Sequence, residues 1–170
     1  TNLAEFHKFL QEKENEALLD RMVIVKVPYT LSYTEEARIY TKLVSAAPAF
    51  RDVHLDPHAL RLASVFAVLT RLMKPEREGL DLSKKLRLYE NEVQRLRQEA
   101  PEEGLTGVSP RFIVNSISNA ITRSDKKSLT SMEVLLALKD SIETDARMDA
   151  KAKKLWIDYL VVARKDFYNR

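Results

Sequence analysis

Residues 56–73 read DPHALRLASVFAVLTRLM, and this stretch decides the fold. Asp56-Pro57 pairs a helix N-cap residue with the residue best suited to the first helical position, and the run that follows is apolar on most sides up to Met73. A helix without a polar face has to be buried. The spacing therefore predicts a central helix that the rest of the chain surrounds, ended by Lys74-Pro75. Upstream, Thr34 reads as an N-cap with Glu35 and Glu36 in the first turn, favourably placed against the helix dipole. Ala37, Tyr40, Leu43, Val44 and Ala47 then recur at helical spacing up to Pro48.

Downstream, Leu82, Leu86, Tyr89, Val93 and Leu96 mark one amphipathic helix whose other face carries Lys84, Lys85, Arg87, Arg95 and Arg97. Glu99 to Gly107 is an acidic, proline- and glycine-bearing loop. Ser109-Pro110 repeats the cap-plus-proline start, ahead of Ile113, Val114, Ile117, Ala120 and Ile121. Thr130 and Glu133 form a capping box, and a last helix runs from about Asp149. At the other end, Glu5–Glu16 reads as a first helix. Met22 to Val27 is mostly β-branched, which predicts one short buried strand that pairs with something outside this chain. The expected fold is mainly α, a bundle of about six or seven helices with one short strand near the N-terminus.

Composition narrows the chemistry. With 45% hydrophobic and 31% charged residues in 170, the chain suits one domain with a substantial core. Its three glycines fall far below the roughly 7% average, and neither GxxxxGK[ST] nor GxGxxG occurs, so the chain carries no self-contained phosphate cradle of either type. The absence of cysteine removes disulfides, thiolate nucleophiles and sulfur-built zinc sites, and fits a reducing compartment, with the cytoplasm as default. No apolar run approaches the roughly 20 residues of a membrane span. A first residue that is Thr1 and not Met leads us to expect an internal piece of a longer protein. The net charge of +3 conceals two basic stretches: residues 61–97 hold nine basic and five acidic side chains, and 147–170 hold seven and three. Solvated helix faces are the ordinary reading of both.

His54 and His58 have a metal-like spacing, but Pro57 breaks the helix that would align them, and surface histidines are expected. No GxSxG elbow or hydrolytic triad can be picked out. Two arginines fall at telling places. Arg21 ends a junction just before the β-branched run, where it either bridges to Asp20 or Glu16 or serves a ligand. Arg111 lies in the first turn of a helix, where its charge has the wrong sign for the dipole. Either an anion is held there by both, or Arg111 pairs with Glu102 or Glu103.

The runs NEALLDRMVIVKVPYTLSYTEEARIY (15–40), FAVLTRLMKPER (66–77), LDLSKKLRLYE (80–90) and GLTGVSPRFIVNSISNAITR (104–123) closely resemble the PrkA family, bacterial serine protein kinases built on an AAA+ ATPase module. The resemblance covers essentially the whole chain. It implies that residues 1–28 are the C-terminal end of the AAA+ core, and that 29–170 are the α-helical lid and the start of the C-terminal kinase-related region. The parent would bind ATP and Mg, assemble as a homo-oligomeric ring and act on a protein substrate, while this chain alone would bind neither and be inactive. By the same resemblance Asn2 corresponds to the sensor-1 residue, Arg21 to the arginine finger, and Arg111 to the sensor-2 arginine. A second expectation, from the residues alone, is a helical DNA-binding or protein-interaction module. Helices 109–123 and 130–142, with Arg123, Lys126 and Lys127 nearby, would form a helix-turn-helix, but Glu133, Asp140 and Glu143 make a poor face for DNA. Alternatively, Lys84 to Arg97 would meet an acidic partner.

Overall fold

The computed structural model describes residues 3–12, 15–75, 79–124 and 127–169. The chain is mainly α, as its periodicity requires. Its elements are α1 (Leu3–Gln11), α2 (Glu16–Leu19), α3 (Tyr33–Ala46), a single 3-10 turn at Pro48–Phe50, β1 (His54–Leu55), α4 (Ala59–Leu69), α5 (Leu82–Asn91), α6 (Val93–Glu99), α7 (Pro110–Ser124), β2 (Ser128–Leu129), α8 (Ser131–Thr144) and α9 (Ala150–Tyr168).

The centre is α4. Every residue from Leu62 to Leu69 is buried, so all sides of this helix meet protein, chiefly α3, α8 and α9. Around it, α3, α4, α7 and α8 form a four-helix unit clasped by the parallel pair β1–β2, with His54 opposite Ser128 and Leu55 opposite Leu129. α5 and α6 are inserted between α4 and α7, and α9 packs back across α4 and α8. Phe66 of α4 and Phe112 of α7 both meet the Trp156 ring edge-to-face, at 6.4 and 6.0 Å, which ties three helices at one point.

Local chemistry sets the boundaries. The Thr130–Glu133 capping box is complete, and Asp149 caps α9 by accepting from the Ala152 amide. Asp81 caps α5 in the same way through Lys84. Three expectations shift. The cap of α3 is Ser32 in place of Thr34, because the Ser32 hydroxyl accepts from the Glu35 amide. Asp56 does not cap α4, which starts at Ala59; its carboxylate accepts from the His58 amide and from both the amide and the hydroxyl of Ser131, joining the approach to α4 to the first turn of α8. The helix expected across 82–96 is two helices, broken at Glu92, where the backbone leaves the helical region at φ −127°, ψ 31°.

The buried strand expected at Met22 to Val27 is not formed. The segment is extended and exposed, with Val23 at 90%, Val25 at 75% and Val27 at 85%, because among the described residues no strand lies alongside to take its backbone hydrogen bonds. Continuous burial begins only at Leu31. The first helix likewise ends at Gln11, short of the expected Glu16, and α2 follows as a separate turn.

Candidate functional site

α7 and α8 run side by side and leave between them an open groove of about 720 Å³. The α7 wall presents Arg111, Asn115, Asn119 and Arg123, four positions spaced by one helical turn each, so that they form one polar stripe. α8 contributes Glu133, Leu136 and Asp140, and the turn after it contributes Asp145 and Arg147. These charges differ in availability. Arg147 is held in a fork by Asp145, with Nε and Nη2 donating to the two carboxylate oxygens at 2.9 and 2.7 Å. The same fork and the Arg147 amide hold the Asp145 carboxyl down at about 2. Arg111, by contrast, is exposed in the first turn of α7 and makes no ion pair or hydrogen bond among the described residues, and Arg123 is also unpaired there.

Neither acidic residue suggested as a partner for Arg111 takes that place. Glu102 lies 4.0 Å from Lys26. Glu103 is buried and accepts from Lys85 Nζ at 2.5 Å, from the Met73 amide at 2.6 Å and from the Tyr89 hydroxyl. What remains at the head of the groove is a guanidinium without a partner among the described residues, at the positive end of a helix dipole, an arrangement that suits a phosphate or carboxylate. The Ser109 hydroxyl already accepts from the Phe112 amide and completes the local cap.

Arg21 lies elsewhere, in the exposed turn after α2, where its amide donates to the Leu18 carbonyl; it does not line the groove and makes no ion pair with Asp20. Asn2 is outside the described residues. His54 sits on β1 and His58 precedes α4 with its ring edge-to-face on Phe167, and no group of three metal-ligating side chains occurs among the described residues.

The residues that sequence reasoning missed lie behind Arg111. The turn leading into α7 contains Gly104 and Gly107, both at positive φ. A Cβ on Gly107 would lie 2.7 Å from Arg71 Cγ and 2.8 Å from the Thr70 carbonyl oxygen, so this position excludes a side chain on both steric and conformational grounds. Gly107→Ala is expected to destabilise the chain by about 1–3 kcal/mol in denaturant unfolding. The signal for the neighbouring Arg71 was a charged residue set within a mostly apolar run, FAVLTRLM. Its partners are far apart in sequence, which is why the run alone did not identify its role.

Residues 1–79 match the family model described as the PrkA AAA domain, and residues 81–170 match that of the PrkA serine protein kinase C-terminal domain. "ATP-dependent protease PrkA" of Bacillus subtilis (strain 168) is 36% identical over 176 aligned residues, covering 98% of this chain and 28% of that protein. "Serine/threonine kinase YeaG" of Escherichia coli (strain K12) is 35% identical over 130 aligned residues, covering 69% of this chain and 20% of that protein. The chain thus spans less than a third of the length of either relative. No solved structure matches. The core crosses the join between the two family models, since α4 of the first packs on α5, α8 and α9 of the second. With both models matched in sequence order and nearly the whole chain aligned to one relative, this chain belongs to the PrkA family.

Proposed function

We propose that the chain is the lid-containing segment of a PrkA-type, ATP-dependent serine protein kinase, and that it meets the phosphates of ATP bound on an AAA+ core through Arg111. The observation that carries this reading is the free, exposed guanidinium in the first turn of α7 at the head of the groove. ATP, with its Mg, supplies the transferable phosphoryl group; the residues here fit only its anionic end, through Arg111 at the positive end of the α7 dipole. An arginine at that position adds fixed positive charge where negative charge accumulates, and its movement with the lid would report the nucleotide state to the C-terminal region.

In this reading residues 1–28 close the ATPase core and 29–170 form the lid and the start of the kinase-related region. The exposure of Val23, Val25 and Val27 and the start of the packed core at Leu31 support that division, because such an apolar extended segment is stable when another sheet covers it. Arg21 would act as the arginine finger toward a neighbouring subunit of a homo-oligomeric ring in the cytoplasm, and Asn2 as sensor-1. The names of the two relatives differ, protease in one and kinase in the other; both are compatible with a lid that couples ATP turnover to work on a protein substrate.

With the phosphate cradle supplied by another part of the protein, the 170-residue chain alone is expected neither to hydrolyse ATP nor to phosphorylate protein above a denatured control. Turnover above that control would overturn the division of labour proposed here.

A further inference from the structure

Arg71 is buried at the C-terminal end of α4, and its guanidinium reaches three segments at once. Nε and Nη2 donate to the Val108 carbonyl oxygen at 3.2 and 2.8 Å, Nη1 donates to the Thr30 carbonyl oxygen at 2.9 Å, and Nη2 also donates to Glu36 Oε1 at 2.6 Å. The Tyr29 ring stacks over the same group with its centroid 4.7 Å from the guanidinium carbon. The adjacent Thr70 accepts the Val108 amide on its hydroxyl oxygen at 2.9 Å. Both backbone polar groups of Val108 are therefore held by two consecutive residues of one helix end, three positions before Arg111.

The apolar face of α7, through Ile113, Ile117 and Ile121, holds that helix against the core by packing that has little directionality. The bonds to Val108 are directional, and three of them converge on one residue of the turn that starts the helix. Gly107 brings the backbone close enough for this clamp to form. Arg71 also bonds the Tyr29–Thr30 stretch, which continues the segment that starts at Arg21.

We infer that Arg71 and Thr70 are positioning residues for Arg111, fixing where the α7 turn presents its guanidinium and linking it to the segment that follows Arg21. The inference rests on the nucleotide-contacting role proposed for Arg111. A purely structural role for Arg71, neutralising Glu36, makes a different prediction. Arg71→Lys keeps the charge beside Glu36 but loses the planar fork that reaches Val108 and Thr30 together. Thr70→Val removes the acceptor for the Val108 amide together with the hydroxyl's own bond to the Ala67 carbonyl oxygen at 2.7 Å within the same helix end, and Thr70→Ser restores both.

The experiment measures two quantities in the intact PrkA-family protein: equilibrium affinity for a non-hydrolysable ATP analogue, and amide hydrogen exchange across residues 105–112. Thr70→Val and Arg71→Lys are expected to accelerate exchange in that peptide and to weaken binding about tenfold, with Thr70→Ser close to the unsubstituted protein. In an Arg111→Ala background neither is expected to weaken binding further. Unchanged affinity in both variants, or an equal loss with and without Arg111, would overturn the positioning role alone. If Arg111→Ala itself leaves affinity unchanged, the reading of Arg111 fails and this inference falls with it.

Discussion

Arg111→Ala, introduced into an intact PrkA-family protein, is expected to lower ATP turnover by about 10²–10³-fold at saturating nucleotide. The size follows from phosphoryl transfer, in which a protein contributes mainly by placing charge around the reacting phosphate. The substitution should leave the fold intact, because Arg111 is exposed and bonds nothing among the described residues. Surface changes of this kind stay within about 0.5 kcal/mol, or about 2 °C in Tm for a domain of this size. Arg111→Lys should recover part of the rate, since it returns the charge without the fork. Turnover unchanged in a protein with an unchanged Tm would remove Arg111 from the nucleotide site.

Glu103→Ala is expected to destabilise the chain by about 3–5 kcal/mol. Glu103 is buried and satisfies Lys85, the Met73 amide and the Tyr89 hydroxyl together. Its removal leaves the buried Tyr89 hydroxyl and the Met73 amide without this acceptor, and leaves the Lys85 ammonium only the Met73 carbonyl oxygen, at 3.1 Å, among the described residues. Burial first, then the Glu103 carboxylate, pushes the Tyr89 phenol well up, so this hydroxyl stays protonated and keeps donating across the ordinary pH range. Thermal unfolding of the chain should show a Tm loss on the order of 10 °C. Glu103→Gln should cost less, because its amide oxygen still accepts. A shift below about 3 °C for the alanine variant would show that the cluster contributes little.

The helical content was legible because periodicity and caps are local: the apolar run at 56–73, the Thr130–Glu133 box and Asp149 all report on their own surroundings. The segment 22–27 is exposed where a buried strand was expected, because β-branched composition records a tendency to pair, while pairing itself needs the neighbour that the sequence reading put outside this chain. Glu36 was misread for a related reason. Its place in the first turn of α3 suits the helix dipole, yet its side chain is fully buried against Arg71, a partner 35 residues away. Glu90, to which the sequence assigned no role, accepts from the Tyr33 and Thr34 amides and from the Ser32 hydroxyl at the start of α3. Sequence reasoning reached Arg111 because helix-terminus physics flags a lone cation there. It did not reach the Arg71 clamp, whose partners meet only after the chain has folded.

The most direct test of the central claim is protection of Arg111 from an arginine-specific reagent such as phenylglyoxal, followed by mass spectrometry of the intact protein with and without a non-hydrolysable ATP analogue. Arg123 is the internal control, since it lines the same groove about 18 Å further along α7. The account predicts that the analogue slows modification of Arg111 at least severalfold and leaves Arg123 as reactive as before. Equal modification of Arg111 in the presence and absence of nucleotide would contradict it.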